Sequence, residues 1–197
     1  MFLNKNIKSQ TKLNAHKFLT GFTLIELLVT ISIFVIISSV MFFSFPTFGS
    51  RTVLNNLAHE IALAVRQAQV FGISVREFTP GEFPHYGIFF NTSNNAEFVL
   101  FADLNKNDLY DETSGELAER FVIRKGNYVS RLCGFSLPTS PCSPLNELYV
   151  TFERPNPEAT IKDGVGLEYS YAQISVRSPR GDTRTITVWS NGQIAVE

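Results

Sequence analysis

The hydrophobic pattern changes character twice along the chain. Residues 27–45, LLVTISIFVIISSVMFFSF, contain no charge. At ~1.5 Å of rise per residue, a helical run of this length covers close to the roughly 30 Å of a bilayer core. It predicts a membrane-spanning helix over 22–45, preceded by Gly21 and carrying one acid, Glu26, near its start. Pro46 and Gly49 follow, and a proline there predicts a kink or local melting. The period is then three to four residues. Val53, Leu54, Leu57, Ala58, Ile61, Ala64, Val65, Ala68 and Phe71 mark one face, while Arg51, Asn55, Asn56, His59, Glu60, Arg66 and Gln67 fill most other positions. This predicts an amphipathic helix with one face for a core, ending at Gly72 or a few residues later.

From about residue 76 the period falls to two. Alternation predicts strands at 86–91, 98–104, 121–123, 148–152, 167–176, 185–189 and 193–196. Asn191-Gly192 between the last two is a hairpin signal. The expected fold class is α+β, with the helix covering one face of an antiparallel sheet. The expected organisation is a leader over 1–21, a transmembrane and assembly helix over 22–45, its amphipathic continuation over 46–75, and an extracytoplasmic β domain over 76–197.

Charge sharpens the reading of the N-terminal end. Lys5, Lys8, Lys12 and Lys17 are the charged residues before Gly21. Without these four, the 17 basic residues fall to 13 against 18 acids, so the remainder is net negative although the chain as a whole carries −1. That balance does not favour a nucleic-acid binder. The lysine flank predicts a cytoplasmic N-terminus, a single pass through the membrane and an extracytoplasmic C-terminal domain. An ordinary secretory signal is cut after its apolar stretch. Here the small-residue junction, Thr20-Gly21-Phe22, comes before it, so cleavage would remove the leader and keep the apolar segment. Glu26 then requires a partner inside the membrane or a position from which it reaches water. A new α-amino group at Phe22, in the same or a neighbouring copy, is such a partner.

Gly21-Phe22-Thr23-Leu24-Ile25-Glu26-Leu27-Leu28-Val29 resembles the processing signal of type IV pilins and type II secretion pseudopilins. The resemblance implies cleavage between Gly21 and Phe22 by a prepilin peptidase, N-methylation of Phe22 by the same enzyme, and a role for Glu26 in subunit assembly. It implies a pilin-like fold, with a long N-terminal helix packed on an antiparallel β domain. The implied partners are the peptidase, other pilins or pseudopilins in a filament, and an inner-membrane assembly platform, so the membrane crossed would be the inner one. The stretch LNNLAHEIALAVRQAQVFGISVRE is similar to the corresponding helix of H-type minor pseudopilins and related minor pilins, and the H-type pseudopilin of type II secretion is the preferred subclass. The alternative is a minor pilin that acts in DNA uptake or adhesion.

Three further groups carry candidate chemistry. Asp103, Asn105 and Asn107 place oxygen donors at alternate positions, with Asp111, Glu112 and Glu116 beyond, in the manner of a calcium loop. Two departures stand against it: Asp108 occupies the usual glycine position, and Ser114 the usual glutamate position. The alternative is a solvated loop whose Asn and Asp residues make turns. Cys133 and Cys142 lie beyond the apolar segment, on the side where disulfides form, and are expected to be bonded, with two free thiols as the alternative. Arg177, Arg180 and Arg184 make a basic turn that can contact phosphates in the DNA-uptake alternative, or simply a solvated hairpin tip. The three histidines, His16, His59 and His85, have no nucleophile motif, phosphate loop or zinc spacing beside them, so no catalytic residue is expected and no cofactor beyond calcium.

Overall fold

The computed structural model describes residues 21–74 and 76–197, and only the backbone of residues 43–48. The leader with Lys5, Lys8, Lys12, Lys17 and His16 lies outside the described residues. The chain divides into two units, Met1–Ser44 and Phe45–Glu197. One helix, α1 (Leu24–Ile73), contributes to both, and its helical backbone continues through Pro46 and Gly49.

In the first unit α1 supplies a segment, Leu24–Phe42, long and apolar enough to cross a membrane, and none of it is buried. Phe34, Ile36 and Phe42 are among its exposed side chains. Its hydroxyls turn inward: Thr30 donates to the Leu27 carbonyl at 2.9 Å, Ser32 to Leu28 at 2.8 Å and Ser39 to Val35 at 2.8 Å. A hydroxyl satisfied by the preceding turn asks nothing of an apolar surrounding, so these residues do not interrupt the run.

The second unit contains two antiparallel sheets of five strands each. The first is built from β1 (His85–Asn91), β2 (Glu97–Asp103), β3 (Leu117–Val122), β6 (Glu147–Phe152) and β7 (Ala159–Lys162), in the order β3-β2-β1-β6-β7. The second contains β4 (Tyr128–Phe135), β5 (Ser143–Leu145), β8 (Tyr171–Arg177), β9 (Thr183–Trp189) and β10 (Ile194–Val196), in the order β10-β9-β8-β4-β5. The helical stripe Leu54, Leu57, Ala58, Ile61, Ala64, Val65 and Ala68 is buried in one core with Ile88, Phe90, Leu148 and Phe152 of the first sheet and Leu132, Ile174, Ile186 and Val188 of the second. The chain is therefore α+β, as the periodicity predicts. Val53 and Phe71, at the ends of the expected stripe, are half-buried.

Among the described residues ten strands replace the seven expected. β4, β5 and β7 escape the pattern for local reasons. β4 carries a register shift between Val129 and Arg131, which breaks its alternation. β5 and β7 are only three and four residues long. The strand expected from residue 167 begins at Tyr171. Upstream, the Asp163 carboxylate accepts the amides of Val165 at 3.0 Å and Leu167 at 2.9 Å, which holds that stretch in a turn. The Asn191-Gly192 turn forms between β9 and β10, with Gly192 at φ +82°. Gly192 is also a close approach, since a Cβ there would lie 2.1 Å from the Pro157 carbonyl oxygen.

Phe152 is fully buried where the stripe of α1 meets the first sheet, whereas Leu63 of the same helix is exposed. Phe152→Ala is expected to lower unfolding stability by about 3–5 kcal/mol. Leu63→Ala should change it by less than about 0.5 kcal/mol. Denaturation of the detergent-solubilised chain, followed by Trp189 fluorescence, measures both.

Candidate functional site

Gly21 and Phe22 precede α1, outside the helix, and Phe22 is exposed. Thr23 caps the helix: its hydroxyl accepts the Glu26 amide at 3.3 Å and its carbonyl accepts the Leu27 amide at 3.2 Å. Thr23-x-x-Glu26 is thus a capping-box sequence with its threonine half formed. The Thr-x-x-Glu spacing is the sequence signal for this cap, and it is absent from the expectations above. Glu26 lies in the first helical turn, where a carboxylate also favours the positive end of the helix dipole. The junction expected to be cut therefore sits on irregular, accessible chain just outside a capped helix.

The acidic loop between β2 and β3 is held by its own side chains. Asp103 is fully buried, and its oxygens accept the amides of Asn107 at 3.1 Å and Asp108 at 2.8 Å. Asn105 accepts the Asn107 amide at 3.0 Å, and Asn107 accepts the Leu109 amide at 2.8 Å. Glu116, also fully buried, accepts the amides of Leu104 at 3.2 Å and Asp111 at 2.8 Å. Burial pushes its carboxyl above the usual range, although those amides pull the other way. Asp108 adopts the left-handed conformation at φ +62°, so the sharp turn expected of glycine is made by an aspartate. Leu109 and Tyr110 then pack on Val99, Phe101, Tyr149 and Phe89, covering the outer face of the first sheet.

Within the predicted calcium loop, Asp103, Asn105, Asn107 and Glu116 accept the loop's own amides. Asp111 instead caps a 3-10 turn, Glu112–Ser114, by accepting the Thr113 amide at 2.9 Å, the Thr113 hydroxyl at 2.7 Å and the Ser114 hydroxyl at 2.6 Å. These bonds, the Ser114 hydroxyl foremost, hold its carboxyl below the usual range. Among the described residues, the His, Cys, Asp and Glu atoms that converge closely enough for one ion are those of His85, Asp103 and Asp108.

Cys133 and Cys142 are bonded, with an S–S distance of 2.09 Å, and tie β4 to the segment entering β5. Arg131 donates to the Cys142 sulfur at 3.1 Å. The arginines of the β8–β9 turn separate in role. Arg184 donates to the Asn55 side chain on α1 and to the Thr183 carbonyl at 3.0 Å. Asp182 in the same turn pairs with Arg51 at 3.5 Å, so the turn is docked on the helix by one hydrogen bond and one ion pair. Arg177 and Arg180 remain exposed at the turn. His59 is exposed on α1.

No family model matches the chain, and no curated protein or solved structure matches it.

Removing the crosslink by Cys133→Ser with Cys142→Ser should lower stability by roughly 2–3 kcal/mol, the chain-entropy value for a loop of this size. Denaturant titration with and without reductant checks it, since reduction should bring the native chain to the variant's value. A second expectation concerns pH. The Asp111 carboxyl is lowered in the folded state, so its contribution is present above the ordinary value of 3.8 and is lost as pH falls through the lower folded value. The stability gap between the native chain and Asp111→Asn near neutral pH should therefore close in acid, as read by denaturation at a series of pH values.

Proposed function

We propose that this chain is a minor pseudopilin or minor pilin subunit with a pilin-like fold, of the H-type class that serves protein secretion. It is made as a precursor, cut between Gly21 and Phe22, methylated at Phe22 and held in the inner membrane as a single-pass protein. Its neighbours draw it into a short filament by packing along 22–45. The role is structural, with no catalysis by the chain itself.

The observation that carries this reading is the uncovered apolar segment Leu24–Phe42, joined at one end to the Gly21-Phe22 junction. Burying a Leu, Ile, Val or Phe side chain is worth ~1.5–3 kcal/mol, so a helix with this many exposed must be surrounded by lipid or by like helices. Both environments are supplied by storage in a membrane followed by assembly. Within either, the amine released at Phe22 offers Glu26 a counter-charge whose position sets the register between copies. The two-sheet domain packed on the second half of α1 supports the same reading. The DNA-uptake reading rests on Arg177, Arg180 and Arg184, and the engagement of Arg184 with Asn55 leaves it the weaker of the two.

Co-expression with a prepilin peptidase, followed by intact-mass measurement of the membrane-extracted chain, tests the proposal. The mature chain should begin at a methylated Phe22. Gly21→Leu should abolish cleavage, and Glu26→Val should leave cleavage intact but reduce incorporation into filaments several-fold. A chain still starting at Met1 in peptidase-active cells overturns the reading.

A further inference from the structure

We propose that His85, Asp103 and Asp108 form a binding site for a first-row divalent transition metal, with zinc the best fit. The three residues come from separate places in the chain. His85 opens β1 and Asp103 closes β2, and the two face each other across the ladder. Asp108 is brought back to them by its left-handed turn. His85 Nδ1 lies 4.0 Å from Asp103 Oδ2 and 4.0 Å from Asp108 Oδ1, and all three atoms fall within 4.8 Å of one another. The 4.0 Å spacing is too long for a hydrogen bond. It lies just inside the ~4.2 Å that two donors, each ~2.1 Å from one ion, can span.

A second observation is independent of the acids. His85 Nδ1 is buried and has no hydrogen-bond partner. The other ring nitrogen, Nε2, lies 3.2 Å from Glu153 Oε1. Nδ1 thus lies between two carboxylate oxygens, with a third carboxylate beside the other side of the ring. A metal ion between these atoms would satisfy all three at once, and a carboxylate behind a ligating imidazole is the usual support of such a ligand. The oxygens retain capacity as well. Asp103 Oδ2 accepts the Asp108 amide, and Asp108 Oδ1 accepts the Thr151 hydroxyl at 2.9 Å. Each keeps a lone pair for an ion. Lys162 sits on the far oxygen of Asp108, Oδ2, at 2.7 Å, and is shared with Glu168 at 3.8 Å. One ammonium among four carboxylates leaves the cluster net negative.

The donor set decides the metal class. An imidazole nitrogen with two carboxylate oxygens suits zinc and its first-row neighbours, whereas calcium and magnesium take oxygen shells. Bound here, the ion would pin the acidic loop to the start of β1. This site shares only Asp103 with the calcium pattern read from the sequence, and it does not depend on the proposed filament role.

The test uses the full chain in detergent, stripped with a chelator and titrated with zinc by calorimetry, then with cobalt to read its ligand-field absorption. One zinc per chain should bind, with a rise in thermal stability, and cobalt should show nitrogen–oxygen coordination. His85→Gln and Asp108→Asn should each abolish both signals. Glu153→Gln, which changes only the support of the imidazole, should weaken zinc by roughly 10–100-fold. His59→Gln should leave binding unchanged. Because the native chain is itself the primary measurement, a variant that fails to fold does not remove the test. The proposal is overturned if the native chain takes up no zinc, if His85→Gln folds and still binds it, or if calcium binds in preference to zinc.

Discussion

The globular unit depends on how closely α1 can approach the two sheets. Ala58, Ala64 and Ala68 are buried on the helical stripe, and their short side chains let the backbone sit near the strands. Leu54, Leu57, Ile61 and Val65 fill the remaining space between the inner faces. At the end of the stripe the approach is closer still. A Cβ on Gly72 would lie 2.4 Å from the Phe152 carbonyl oxygen, so only glycine fits there without a backbone shift. Beside it the buried Gln69 amide donates to the Pro157 carbonyl at 2.8 Å and the Gly192 carbonyl at 3.2 Å. A buried amide without partners would cost about 1–3 kcal/mol, and these bonds turn that liability into an anchor for the last turns.

The outer face of the first sheet poses the opposite problem. Val99, Phe101 and Tyr149 leave it apolar, and the acidic loop folds over it. The loop has to bring two carboxylates, Asp103 and Glu116, fully out of water. It does so by giving each two backbone amides, which serve the carboxylate and the loop backbone together. The same constraint places Asp108 where its carboxylate meets Thr151, Lys162 and the edge of the imidazole. Structural need and candidate chemistry therefore share residues here.

In the N-terminal unit no burial answers the apolar surface of Leu24–Phe42. The helix satisfies its own backbone and hydroxyls, and its threonine cap satisfies a leading amide. What it does not supply is a surrounding phase. That deficit is what the proposed membrane storage and assembly would answer.

By itself the sequence determined the elements with strong periodicity. The apolar run, the helical stripe and five long alternating strands are each specified by side-chain pattern over many residues, where local preference and burial agree. The bonding of Cys133 to Cys142 was legible too, because the pair is a short-range feature with a sequence separation of 9. Only the tertiary structure decided the rest. β4, β5 and β7 are too short or too irregular to carry a period, and they exist because neighbouring strands supply their hydrogen bonds. His85 looked isolated, eighteen residues before Asp103, until the β1–β2 ladder set the two opposite each other. Asp108 read as a missing glycine, yet its side chain became a candidate ligand because contacts from β6 and β7 hold it in place. Convergence of residues from different strands is a property of register, and register is settled only when the core closes.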